Sequence, residues 1–274
     1  MLEVPKAIGT EIGEKPIDNT CLKTQVAMDN QQEIKLVQSW LHSKSGLTQY
    51  NQGYFLGCMA GDGYYCGKPE ADQMTLGMEV KDLEFVEKFV KICGEVLGTK
   101  PKKISTYLTN TVYSKGTKMY RAVLYNTALC RALVKRYPKD SVPRLTTNKA
   151  IRGYLEGFFD SEGTVTRMHY KTGGVQYGLT LDNTNQELLT KIHCLYKKLG
   201  VTVSKLYSYK APPGKDCYAF SINLVSFFNS GFRIVIKRKI AILQECLASL
   251  RSSTTTRRKI LGYDTLKSSI YDIV

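Results

Sequence analysis

The sequence predicts an α/β fold of the α+β kind, built from two copies of one helix-plus-sheet unit joined through their first helices. Three observations predict it. One stretch occurs twice, as Gly53-Tyr-Phe-Leu-Gly-Cys-Met-Ala-Gly-Asp62-Gly63 and Gly153-Tyr-Leu-Glu-Gly-Phe-Phe-Asp-Ser-Glu162-Gly163, with the acids one hundred residues apart (162 − 62 = 100). Behind each copy the same succession follows: two strands, a helix, two more strands and a closing helix. Each copy also spaces glycines four apart, Gly53/Gly57 and Gly153/Gly157. On a helix that spacing puts both glycines on one face, so two such helices can approach backbone to backbone. The motif is best attested in membranes, but its steric reason does not depend on the solvent.

Residues 1–50 read as an extension. Their one clear helix begins at Asp29, an N-cap with Gln32 three residues on, and carries Ile34, Val37, Trp40 and Leu41 on one face before Ser45-Gly46 ends it. Packing against the body is its expected role, with an extra nucleic-acid contact as the other reading. The first repeat spans residues 51–143. After its motif helix, strands are expected at Tyr64–Cys66 and Gln73–Val80, and a helix over Asp82–Leu97. That helix has Phe85, Phe89, Ile92 and Val96 on one face and stops at Gly98. Strands at Lys102–Leu108 and Met119–Tyr125 and a helix over Thr127–Tyr137 complete it, before a linker at Pro138–Pro143.

The second repeat, residues 144–250, matches. A motif helix over Ile151–Phe159 leads to strands Gly163–Tyr170 and Val175–Leu181, then a helix over Thr184–Leu199 stopped by Gly200. Strands Val201–Tyr209 and Cys217–Leu224 follow. Leu97-Gly98 is echoed by Leu199-Gly200, and Ile104-Ser-Thr-Tyr107 by Leu206-Tyr-Ser-Tyr209. A last helix, Ile234–Leu250, places Ile236, Ile240, Leu243, Leu247 and Leu250 on a packing face. Residues 251–274 form a tail whose stretch Ser252–Lys259 is polar and basic.

Charge narrows the partner. Thirty-nine Lys and Arg stand against 24 Asp and Glu, a net +15, which favours a polyanion: nucleic acid or an anionic membrane surface. No run approaches the roughly 20 apolar residues of a spanning helix, and Met1–Thr20 has no apolar core resembling a signal peptide. Eight scattered cysteines without a Cys-x-x-Cys pair exclude common zinc spacings and suit free thiols in a reducing intracellular compartment, a prokaryotic cytoplasm or an organelle.

Strand alternation places side chains on faces. Arg167, His169 and Lys171 share one, as do Lys205, Tyr207 and Tyr209, then Lys103, Ser105 and Tyr107, then Arg121 and Tyr125. Tyr65 and Lys68 close the first strand, and Lys215 opens the last. Basic and aromatic groups interleaved on several strands are what a sheet reading a DNA groove needs, cations for phosphates and long polar groups for base edges. If the motif helices pack together, Asp62 and Glu162 emerge side by side. They then face each other's charge and the negative ends of two helix dipoles, which is costly unless a cation neutralises them. The pair therefore reads as a divalent-metal site.

These two motif copies resemble those of the LAGLIDADG family of homing endonucleases in its single-chain, two-repeat form. Phe55-Leu-Gly-Cys-Met-Ala-Gly-Asp62-Gly63 and Leu155-Glu-Gly-Phe-Phe-Asp-Ser-Glu162-Gly163 fill the nine motif positions, with Ala60 standing where the family name has its first Asp. The resemblance covers about residues 50–250. It implies two αββαββα units related by a pseudo-twofold axis, motif helices at the centre, and two antiparallel sheets forming a saddle for the major groove of double-stranded DNA. It implies that Asp62 and Glu162, with the carbonyls of Gly61 and Ser161, bind Mg²⁺ or Mn²⁺, Ca²⁺ binding without supporting cleavage. Glu79 and Asn183 match the polar residue at the base of each half-site, and Lys118, Arg121 or Lys215 the basic residue near the cleft. The implied activity is a staggered double-strand break of the intron-homing type by a monomer. The alternative is a non-cleaving binder of the same fold, an RNA-splicing maturase or a DNA-binding regulator.

Overall fold

The computed structural model describes residues 39–68, 72–110, 115–169, 175–212 and 214–251. The predicted helix from Asp29 therefore lies outside the described residues except for its end, where Trp40 and Leu41 are buried. Trp40 stacks on Tyr137 at 5.4 Å between ring centroids, and Arg136 Nε donates to the Leu41 carbonyl over 3.0 Å. The end of the extension thus packs against the body. The turns near Gly173-Gly174 and the tail beyond Arg251 also fall outside the described residues.

The first repeat runs α1 (Tyr50–Ala60), β1 (Gly63–Cys66), β2 (Thr75–Val80), α2 (Leu83–Leu97), β3 (Ile104–Leu108), β4 (Lys118–Tyr125) and α3 (Thr127–Arg136). The second runs α4 (Asn148–Glu162), β5 (Gly163–His169), β6 (Val175–Asn183), α5 (Gln186–Lys198), β7 (Tyr207–Ala211), β8 (Lys215–Ile222) and α6 (Leu224–Asn229). A final helix, α7, spans Lys237–Arg251. The sheets share one topology, β1-β2-β4-β3 and β5-β6-β8-β7, antiparallel throughout. The sequence echo is thus an architectural duplication.

Small residues bring α1 and α4 together. A Cβ at Gly53 would lie 2.9 Å from Tyr154 N, and one at Gly57 2.8 Å from Phe158 N, with a backbone carbonyl nearer still in each case. The relationship is reciprocal: at Gly153 the neighbour is Tyr54 N at 2.9 Å, and at Gly157 it is Cys58 N at 3.0 Å. No side chain fits at any of the four, as their spacing predicts. Around this contact Tyr54, Phe55, Tyr154, Leu155, Phe158 and Phe159 are fully buried, and the core extends from them beneath both sheets. The amphipathic α2 adds Phe85, Phe89 and Ile92, and its C-cap Gly98 takes the left-handed φ of 72° that a glycine stop supplies.

The interface also holds polar groups that only one copy provides. Tyr50 OH donates to Glu156, and Tyr54 OH to Asp160 Oδ2 over 2.6 Å. One hundred residues earlier stand Leu56 and Ala60, so the buried acids belong to the second copy alone. Their remaining oxygens accept backbone N–H groups: Glu156 Oε1 from Arg233 and Asp160 Oδ1 from Val235, both over 3.1 Å. Residues 232–236, the last three of them expected in the final helix, instead form a strap without helix or strand that is held along α4. Carboxylate oxygens left over by the two tyrosines, which would otherwise be buried unpaired, hold it there.

Two further elements differ from expectation. The predicted strand Val201–Tyr209 begins pairing in earnest only at Tyr207, and α6 starts at Leu224, read as the last residue of a strand, and continues through residues assigned to no element. Asn223 explains the second: its side chain accepts from Ser226 N over 2.9 Å, an N-cap that starts a helix there. No helix among the described residues is long and apolar enough to cross a membrane, and none of the seven described cysteines is in a disulfide.

Candidate active site

The motif helices end where the two halves meet. Gly61 caps α1, its N–H donating to the Gly57 carbonyl over 3.2 Å, and Asp62 follows in the turn before β1. Glu162 is the last residue of α4, and the Ser161 hydroxyl donates to the Gly157 carbonyl over 3.1 Å. A Cβ at Gly61 would sit 2.7 Å from Ser161 Oγ and 3.3 Å from Glu162 Cγ, so the helix ends touch. The acids are not equivalent: Asp62 is open to solvent on one side and Glu162 is half-buried.

Both carboxyls are held above their ordinary range. For Asp62 the surrounding protein raises the pKa to about 6, opposed by Lys239 and Lys139. Glu162 is raised to about 7 by burial and then by the charge of Asp62. That repulsion is the electrostatic sign of two acids sharing one place. Among the described residues no group of three or more His, Cys, Asp or Glu side chains is gathered as a metal cluster. Two carboxylates with adjacent backbone carbonyls still make an all-oxygen donor set, which suits a hard cation that retains water.

The basic groups at these acids come from elements the sequence reading passed over. Lys139, in the linker after α3, donates from Nζ to the Gly63 carbonyl over 2.8 Å. Lys239, in the first turn of α7, is 1 % exposed and donates to the carbonyls of Phe159 and Asp160, each over 2.8 Å, covering the end of α4. Burial lowers its pKa to about 8, with Asp160 opposing. Next to it Arg238 Nε pairs with Asp82 Oδ1 at 2.9 Å, and Lys237 N donates to Glu84 Oε1 over 2.6 Å. The start of α7 thereby ties the second motif helix to the first repeat. One signal could have found these lysines: 239 − 139 = 100, the separation of the acids.

Each sheet turns one face to the helices and leaves the other open. In the first sheet, Glu79 pairs in register with Arg121, and Arg121 with Ser105, on the open face. There Glu79 accepts from Arg121 and from the Tyr107 hydroxyl. Lys103 and Tyr125 lie on or beside this face. In the second sheet Asp182 holds the place of Glu79: Tyr209 OH donates to Asp182 Oδ2 over 3.3 Å, and the charge of Asp182 adds to the rise at Glu162. Tyr207 shares that face, with Lys205 at its margin and Lys215 at its far end.

Several expectations are corrected by this geometry. Asn183 points to the other side of β6 and spends its Oδ1 on Asn185 N, 2.8 Å away, so the polar group facing the open side is Asp182. Arg167 and His169 share the helix-side face of the buried Val165. Arg167 there pairs with Glu245 of α7 and donates to His169 Nε2 over 3.1 Å. Lys118 lies on the helix side as well, 5.2 Å from the Tyr120 ring. Arg121 is bound to Glu79 rather than free near the acids. Tyr65 pairs with Leu76 on the core side, while Tyr64 takes the open face opposite Gly77. Lys68 is exposed beyond β1, and Lys171 lies outside the described residues.

Residues 149–243 match the family model described as LAGLIDADG-like domain. None of the curated proteins matches the chain. Among solved structures, variants of the homing endonuclease I-DmoI are 16% identical, with 66% of this chain and 88% of theirs covered and a TM-score of 0.45. The LAGLIDADG homing endonuclease I-GzeII, in complex with its DNA target, is 10% identical over 79% of this chain and 97% of its own, TM-score 0.46. The homing endonuclease I-WcaI, bound to its DNA recognition sequence, is 15% identical over 80% of this chain and 89% of its own, TM-score 0.48.

Proposed function

From a chain whose residues 149–243 form a LAGLIDADG-like domain, we propose a site-specific DNA endonuclease that makes a staggered double-strand break as a monomer. The observation that carries this reading is the place of the acids. Two carboxyls with raised pKa values stand at the joined ends of α1 and α4, each followed directly by the first strand of its own four-stranded sheet. A net charge of +15 supports a polyanionic substrate, and open-face Tyr107, Arg121, Tyr207 and Tyr209 supply aromatic and polar groups for a groove.

Asp62 and Glu162 would hold Mg²⁺ or Mn²⁺, with Gly61 and Ser161 contributing carbonyls. When bound, such a cation neutralises the carboxylates, polarises a phosphodiester and lowers the pKa of its water. The chain's own residues do the rest. The two sheets orient the duplex over the helix ends, so that each acid serves one strand. Lys139, anchored on the Gly63 carbonyl, places a cation where phosphate charge develops. Lys239 fixes the end of α4 and hence Glu162.

The test is a cleavage screen of purified protein with Mg²⁺ on a randomised duplex library, with the cut ends sequenced. Recovery of one long target with staggered ends supports the proposal. Tight binding at low salt with no cutting of any library member points instead to a non-cleaving binder.

A further inference from the structure

The repeats differ at the outer end of the sheet, away from the acids. Aligned by Leu97-Gly98 with Leu199-Gly200 and Tyr107 with Tyr209, the loops entering β3 and β7 have equal length (199 − 97 = 102 and 209 − 107 = 102). In the second repeat this loop is stitched shut. Ser204 N donates to the Ser221 carbonyl over 2.8 Å, Asn223 N to the Thr202 carbonyl over 2.9 Å, and Val203 bridges Ile222. In the first repeat the buried Pro101 stands where Val203 does. Among the described residues, no backbone bond like those of Ser204 and Asn223 joins 99–102 to β4 outside the β3–β4 ladder.

An open cavity of about 720 Å³ results, lined by Lys100, Lys102, Lys103, Arg121, Ser105 and Tyr125 among others. Its lining includes no carboxylate, and among the described residues its three lysines form no ion pair. Two of them, Lys100 and Lys102, align with Thr202 and Ser204 of the closed loop. Tyr125, 79 % exposed, forms one wall. A cavity with this lining suits an anion carrying apolar surface, as a sugar-phosphate backbone does.

We propose that this cavity seats backbone phosphates of duplex DNA at the outer end of the first half-site, and that the second half-site lacks the counterpart. The inference rests on the open faces being a DNA interface. Its consequence is unequal halves: the first repeat supplies more of the sequence-independent affinity, and its share is the salt-sensitive one.

The experiment measures binding of a 30-base-pair duplex of arbitrary sequence against salt concentration for the full chain. The variant K100T/K102S carries the second repeat's residues at exposed positions. Loss of two phosphate contacts lowers the slope of log K against log salt by about 1.8, so that wild type forfeits about tenfold more affinity than the variant between 50 and 200 mM salt. K197A/K198A, at the exposed end of α5, is the control and leaves the slope near wild type. An unchanged slope in K100T/K102S, or an equal fall in the control, overturns the proposal while leaving the endonuclease reading standing. Wild-type protein without affinity for any duplex removes both.

Discussion

Gly57 of the first motif helix lies against the Tyr154–Phe158 backbone of the second, so closely that an added Cβ would sit 2.8 Å from Phe158 N. The obstacle is backbone, which cannot rotate away. Gly57→Ala is therefore expected to destabilise the protein by about 3 kcal/mol despite alanine's better helix propensity. Gly94, inside α2, is the contrast: a Cβ there meets only the Lys100 side chain at 3.6 Å. Gly94→Ala should stabilise by about 0.5–1 kcal/mol. Denaturant midpoints of the two variants check the pair.

A second prediction concerns pH in the absence of divalent cations. Asp62 at about 6, and Glu162 and Glu156 at about 7, lie above their unfolded values. Between roughly pH 4 and 7 the folded chain then binds more protons than the unfolded one, so these groups make stability fall as pH rises through that window. Below it they contribute no penalty, and above it the penalty is complete. Thermal melts from pH 5 to 7.5 should show the decline. Asp62→Asn/Glu162→Gln should flatten it, leaving the shares of Glu156 and of Asp160, which burial also raises, and Mg²⁺ should raise the wild-type melting temperature most at the upper end.

The two lysines near the acids should separate stability from activity. Lys239→Met removes the ammonium from the Phe159 and Asp160 carbonyls, of which Phe159 keeps the Gly163 N–H, and is expected to destabilise by about 2–3 kcal/mol. Lys139 reaches only the Gly63 carbonyl from the linker. Lys139→Ala should change the melting temperature little, yet slow single-turnover cleavage by about 100-fold. Equal activity in wild type and Lys139→Ala would remove that residue from the mechanism.

The parts legible in the sequence were those whose cause is local. Glycines four residues apart announce a close helix pair because only backbone can occupy the space. Gly98 announces a helix end because its φ of 72° suits glycine. Strand positions followed from alternation, but alternation does not say which face meets the helices. Arg167 and His169 share the face of Val165 and Leu179, and are exposed only because the strand runs past the core. Arg167's partner Glu245 lies 78 residues on in the sequence, beyond any local pattern. Lys139 was hidden in a linker between prolines, and Lys239 in a helix read for its apolar stripe. Both acquire their role from long-range contacts, as does Asp182 in place of Asn183.

The most direct test of the central claim compares cutting with binding in Asp62→Asn and Glu162→Gln, each on the duplex recovered from the library, with Mg²⁺ present. If the acids hold the metal between two DNA-facing sheets, each single variant loses double-strand cleavage and still binds the duplex. Intact double-strand cleavage by both variants would contradict the account.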